Sequence, residues 1–101
     1  MPPAIPLNTR VLTWCTTPNM YYVYVLINEK HNIYIGFTND LKRRVHEHKT
    51  EQVYSTKRIG GNWQLIYYEA CRNKKDAFRR ERFYKNGPGR NQLIRRIKHD
   101  L

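Results

Sequence analysis

Tyr21-Tyr22-Val23-Tyr24-Val25-Leu26-Ile27, a polar link from Asn28 to Asn32, and then Ile33-Tyr34-Ile35-Gly36-Phe37 form the stretch that decides the fold. Both runs are rich in β-branched and aromatic residues, which pack well on a pleated surface. The link is short and polar, so an antiparallel hairpin is expected. Alternation puts Tyr22, Tyr24 and Leu26 on one face of the first strand, and Asn32, Tyr34 and Gly36 on one face of the second. A register that sets Tyr24 beside Tyr34 would place two phenols on one sheet face, with Gly36 leaving room for a backbone or phosphate to approach. Aromatic pairs across strands are also ordinary sheet packing, and the strands alone do not choose between the two readings.

Downstream, Thr38 or Asn39 is positioned to cap a helix reaching about His48, with Asp40 at the positive end of its dipole. Leu41 and Val45 supply its apolar stripe, while Arg44 and His48, four residues apart, lie side by side. The tract from Lys49 to Asn62 is polar, ends in Gly60-Gly61, and reads as a mobile loop. Trp63 to Ala70 reads as a third strand. Asn73 resembles an N-cap with Asp76 at N3, opening a helix to about Lys85. Gly87-Pro88-Gly89 reads as its stop, followed by a last helix from about Arg90 to Lys98 with Leu93, Ile94 and Ile97 on one side. The order β-β-α-β-α-α implies an α+β domain, a small three-stranded antiparallel sheet flanked by helices. Residues 1–19 carry Pro2, Pro3, Pro6 and Pro18 and a single charge, Arg10. They read as a flexible arm or a start assigned too early, leaving residues 20–101 as the domain.

A chain of 101 residues has room for one domain. Its charge is the strongest compositional signal: 19 Lys+Arg against 8 Asp+Glu give +11, with a pI near 10.0. Such a balance suits a polyanion, because displaced counterions supply affinity without sequence readout. No apolar run approaches the roughly 20 residues of a membrane span, and no early basic region with a long apolar run marks a secretory signal. No membrane partner is expected. Cys15 and Cys71 form no CxxC pair, the four histidines (His31, His46, His48, His99) show no HExxH spacing, and a reducing cytoplasm suits the thiols.

Two polar positions carry potential chemistry. The Arg44 guanidinium can grip a phosphate through two parallel hydrogen bonds. Glu81 stands among Arg79, Arg80 and Arg82, with Lys85 four residues on. It is either half of a common helix-stabilising pair or a ligand for Mg2+, which often takes only one or two protein carboxylates. Local sequence leaves both open.

With these residues in place, Tyr22-Val23-Tyr24 followed by Tyr34-Ile35-Gly36 resembles the GIY and YIG motifs of GIY-YIG nucleases. Residues Phe37 to Arg44 resemble that family's helix up to its key arginine. Trp63 to Ala70 and Ala77 to Lys85 are similar to its small stand-alone bacterial members, so the likeness covers nearly the whole chain from Met20. The resemblance implies a metal-dependent DNA endonuclease, a phosphodiester hydrolase using one Mg2+ or Mn2+. It would select nicked, branched or single-stranded DNA in repair or recombination. The alternative is a non-catalytic DNA- or RNA-binding module or repair adaptor.

The resemblance also implies roles. Tyr24 would take a proton from the attacking water, or stay neutral and relay one. Tyr34 would support the nucleophile, Arg44 the phosphate charge, and Glu81 the metal. His48 would share the base role or steady the tyrosine. Cations expected to track a DNA backbone are Lys42, Arg43, Lys57, Arg58, Arg79, Arg80, Arg82 and Lys85, while Trp63 or an exposed tyrosine would stack on an unpaired base. The chain departs from the family pattern at Tyr22, where glycine is common, and at Phe37, where a lysine or arginine often follows YIG. A late family asparagine would correspond to Asn86.

Overall fold

The computed structural model describes residues 20–101; the expected N-terminal arm, residues 1–19, lies outside the described residues. Strand β1 (Tyr21–Ile27) occupies the centre of the sheet, between β2 (Ile33–Thr38) and β3 (Gln64–Cys71), in the order β2-β1-β3 with both pairings antiparallel. Helices α1 (Leu41–Lys49), α2 (Tyr54–Ile59), α3 (Lys74–Lys85) and α4 (Gly87–Ile97) complete the domain, with a short 3-10 turn at Lys98–Asp100. This is the expected α+β architecture with one additional helix.

The central position of β1 explains its unbroken run of apolar and aromatic residues. Val23 and Val25 point to one layer, where they meet Ile35, Ala77 and Tyr84 of α3, and Leu93 and Ile97 of α4. Tyr22, Tyr24 and Leu26 point to the other, packing with Leu41 and Val45 of α1 and with Trp63. Both faces of β1 are covered, so neither set of side chains reaches solvent. Across β3 the pairing skips Ile66, passing from Val25↔Tyr67 to Leu26↔Leu65. This bulge breaks the alternation, so Ile66 and Tyr67 both join the α3–α4 layer.

Four local expectations need correction. First, Tyr24 lies opposite Gly36, and Tyr34 lies opposite Leu26, so the two phenols are diagonal neighbours. The space over Gly36 is filled by the Tyr24 ring, which a Cβ there would overlap. Second, Asp40 is the N-cap of α1, accepting from Arg43 N at 3.2 Å, while the Thr38 hydroxyl accepts from Asp40 N at 3.0 Å and braces the cap from behind. Third, the tract read as a mobile loop contains α2, held by buried Val53 and Thr56. Fourth, Gly87-Pro88-Gly89 is the first turn of α4. Proline suits this position because its missing N–H would be unpaired there anyway. Gly89 permits a close approach, since a Cβ would run into the Phe83 carbonyl at the end of α3.

A polar clasp ties the hairpin to the loop after α2. Asn28 Oδ1 accepts from the backbone of Lys30 and Asn32, while its Nδ2 donates to Gly60 O at 3.0 Å. Glu29 accepts from Asn62 N at 2.7 Å. On the other layer, Glu69 of β3 accepts from Tyr67, Tyr84 and Arg80, joining strand to α3. Burial alone would raise the Glu69 carboxyl, but those hydrogen bonds hold it below the usual carboxylate range.

Candidate active site

Tyr24 is fully buried, and its ring crosses the backbone of the edge strand β2 at Gly36. At the end of that ring the hydroxyl meets His48 Nε2 at 2.7 Å. His48 follows Leu41 and Val45 on the buried stripe of α1, which turns its imidazole toward the sheet. Its other nitrogen, Nδ1, lies 2.8 Å from Thr56 Oγ1. Thr56 in turn donates to Val53 O at 3.3 Å, so its oxygen must accept from the imidazole. The tautomer consistent with that bond has the proton on Nδ1 and leaves Nε2 to accept from the Tyr24 hydroxyl. Trp63 Nε1 donates to Thr56 O at 3.2 Å and pins the threonine's helix in place.

Electrostatics keep both groups neutral at rest. Burial, then the Arg44 charge, push the His48 imidazole down to about 4. Burial and the adjacent Tyr34 hydroxyl raise the Tyr24 phenol above its ordinary range; Arg44 opposes them and Glu81 adds to them. A phenolate is therefore disfavoured in the free protein, while a neutral, hydrogen-bonded Tyr24 is favoured. Tyr34 stands 4.9 Å from the His48 ring and 6.3 Å from the Tyr24 ring, centroid to centroid.

Arg44 projects from α1 with a third of its side chain exposed, and Glu47 accepts from its Nη1 at 3.0 Å. Glu47 also holds Arg43 at 2.8 Å, so one carboxylate orients both guanidinium groups. Glu81 lies on the inward side of α3 between Ala77 and Tyr84, and its charge is felt by the Tyr24 phenol. Its side chain is 14% exposed and Oε2 is 2.9 Å from Lys85 Nζ. The helix pair thus coexists with an electrostatic influence on Tyr24.

Among the described residues no group of three or more His, Cys, Asp or Glu could hold a metal ion. A site closed by protein ligands does not fit. One carboxylate does fit Mg2+ or Mn2+, which can draw its remaining ligands from water and phosphate oxygens. The competing Lys85 contact is a helix pair of about 0.3–0.5 kcal/mol, weak enough for a divalent cation to displace.

The expected DNA-facing cations divide into two groups. Lys42, Lys57 and Arg58 are exposed, without an acidic partner among the described residues. Arg43, Arg79 and Lys85 are paired with neighbouring acids on their own helices or caps. Arg80 is committed to Glu69 and Tyr84, and Arg82 sits 5.6 Å over the Phe78 ring. Trp63 is only 3% exposed and precedes β3, so it offers no face to a base. Asn86 caps the junction of α3 and α4 and donates to Arg82 O at 2.8 Å. Sequence reading missed Thr56 and Glu47. Their signal is faint: Val53 and Thr56 are three apart inside a polar tract, and Glu47 sits three and four residues beyond the two arginines.

Residues 20–93 match the family model of the GIY-YIG catalytic domain. A UPF0213 protein of Limosilactobacillus reuteri is 40% identical over 68 residues, covering 65% of this chain and 71% of its own. One of Clostridium perfringens is 35% identical over 78 residues, covering 77% and 83%. Among solved structures, a UPF0213 protein of Bacillus halodurans aligns with TM-score 0.48 and 26% identity, over 78% of this chain and 85% of that one. No helix among the described residues is long and apolar enough to cross a membrane.

Proposed function

Since the chain belongs to the GIY-YIG catalytic-domain family, we propose that it is a metal-dependent endonuclease hydrolysing phosphodiester bonds in DNA, selective for nicked, branched or single-stranded structures. The observation that carries this reading is the directed chain from the Tyr24 hydroxyl through His48 to Thr56, with Arg44 and Glu81 beside it. This hydrogen-bonded chain also helps hold the core together, so it is its place beside Arg44 that favours catalysis over binding alone.

In this reading Arg44 receives the scissile phosphate, held in orientation by Glu47. The attacking water forms its bond to phosphorus and gives a proton to the Tyr24 oxygen as Tyr24 passes its own to His48 Nε2; the phosphorus–oxygen bond to the leaving group breaks, and the departing alkoxide takes a proton from solvent water. His48 ends as an imidazolium that still donates from Nδ1 to Thr56. At rest the imidazole is a poor base, partly because Arg44 faces it. A phosphate anion on Arg44 offsets that repulsion, so substrate binding itself strengthens the base. Glu81 would hold the divalent ion, which when bound supplies charge stabilisation at the leaving oxygen.

The test is cleavage of end-labelled nicked, branched, single-stranded and plain duplex DNA with Mg2+ or Mn2+, repeated with chelator. Cutting is expected only with metal, to vanish in Tyr24→Phe and Glu81→Gln, and to be greater on the irregular substrates. Tight, salt-dependent binding without cutting under any metal leaves the non-catalytic DNA- or RNA-binding module or repair adaptor.

A further inference from the structure

Beside Arg44 the surface opens into a cleft of about 330 Å3, bordered by Tyr21, Phe37, Asn39, Arg43, Arg44 and Lys74. Two of its lining residues, Tyr21 and Phe37, are aromatic. Tyr21 and Phe37, diagonal neighbours on β1 and β2, hold their rings parallel within 7° at 6.3 Å between centroids. Phe78 of α3 meets Phe37 edge-on at 6.2 Å and is 48% exposed. Tyr21 begins β1 and Phe37 nearly ends β2, at the open end of the hairpin, and both pack against the core while staying partly exposed. Around them stand cations: Lys74 without an acidic partner among the described residues, Arg44, and Arg43 shared with Glu47.

A lone phosphate would make no use of the rings, and an apolar ligand would make no use of the cations. A nucleotide uses both. We propose that the Tyr21–Phe37–Phe78 ledge stacks one unpaired DNA base next to the phosphate bound at Arg44, with Lys74 on the neighbouring phosphate. The assignment rests on the nuclease reading and supplies its selectivity. A base inside a duplex is paired and stacked on both faces, so occupying the ledge would first require extrusion. A base at a nick, branch or single strand meets no such cost. Base–aromatic stacking is tolerant of base identity, so the ledge selects for structure and leaves sequence unread.

The test measures binding in chelator, where no cutting occurs. Short single strands carrying 2-aminopurine at successive positions, and matching duplexes, are titrated with wild type, Phe37→Leu, Phe78→Leu and Lys74→Gln. Expected is quenching at one position of the single strand, lost in Phe37→Leu, with single-strand affinity falling about 5- to 100-fold and duplex affinity nearly unchanged. Phe78→Leu, at an exposed position, should show the same pattern more weakly and remains decisive if Phe37→Leu folds poorly. Lys74→Gln should weaken both DNAs and lower the salt slope by about 1. Equal losses on single strand and duplex in the two Phe variants, or quenching that survives in both, overturns the ledge. Single-stranded RNA bound more than about tenfold tighter than the same DNA sequence overturns the choice of DNA. Position-specific quenching with no cutting under any metal would sink the nuclease and leave the ledge standing. Cutting of single strand and duplex in a ratio unchanged by Phe37→Leu and Phe78→Leu would do the reverse.

Discussion

Lowering the pH from 7 to 4 should weaken the fold through His48 alone by about 3 kcal/mol. The imidazole is 1% exposed, and burial with the Arg44 charge holds it at about 4, against 6.5 for a solvated histidine. Well above 6.5 neither state carries the proton, and the contribution is silent. As the pH falls from 6.5 toward about 4, the unfolded chain takes up a proton that the folded chain refuses. Each unit in that window costs about 1.4 kcal/mol, and the loss levels off once both states are protonated. Urea unfolding of wild type and His48→Gln in half-unit pH steps isolates the effect, because carboxylates such as Glu69 titrate in both proteins and cancel in the difference. The glutamine amide can face Tyr24 but does not titrate. The wild-type stability minus that of the variant should fall by about 3 kcal/mol across the window. Long-range proton–nitrogen NMR at pH 7 should show Nδ1 protonated and Nε2 bare. Parallel stability curves within about 0.5 kcal/mol, or a His48 ring that titrates like a solvated one, would refute the buried relay.

Other perturbations test the same geometry. Thr56→Val keeps the shape but leaves the imidazole without its acceptor, which should cost about 1–3 kcal/mol in urea unfolding and shift the tautomer in the NMR experiment; Thr56→Ser should restore both. Gly36→Ala drives a methyl into the Tyr24 ring, an overpacking expected to lower stability by about 1–3 kcal/mol and to reduce cleavage as the phenol is displaced. Glu81→Gln should change stability by less than about 1 kcal/mol, since it removes only a helix ion pair. Mn2+ is expected to raise the melting temperature of the wild type but not of Glu81→Gln; an equal rise in both would remove Glu81 from metal binding.

The three strands and the helices α1 and α3 were legible because their burial is written in periodic apolar or β-branched runs. Helix α2 was not. Only Val53 and Thr56 of its tract are buried, and six residues make no stable helix alone. Its existence depends on Trp63, His48 and the Asn28–Gly60 clasp, contacts between segments far apart in the chain. The start of α4 was misread because Gly-Pro-Gly suits both a break and a first turn, and the crowding at Phe83 that decides between them is tertiary. The spacing of Tyr24, Tyr34, Arg44 and His48 pointed to one neighbourhood, but hairpin register is a property of the folded turn, so the diagonal placement of the phenols was out of reach. Thr56 escaped for the reason that α2 did. The pairing of Tyr21 with Phe37 escaped because it depends on strand register, and only the folded sheet shows both rings partly exposed.

The phenol of Tyr24 starts on the innermost strand and reaches across the outermost one, so its oxygen is delivered toward the margin of the sheet while its backbone stays in the middle. Under the nuclease reading that margin is best left clear. A further strand laid along β2 would extend the sheet beside the buried hydroxyl and crowd the approach to Arg44. Material added beyond β3 would leave that side alone, and a duplicate docked edge-to-edge through β2 is expected to hinder cleavage in both copies.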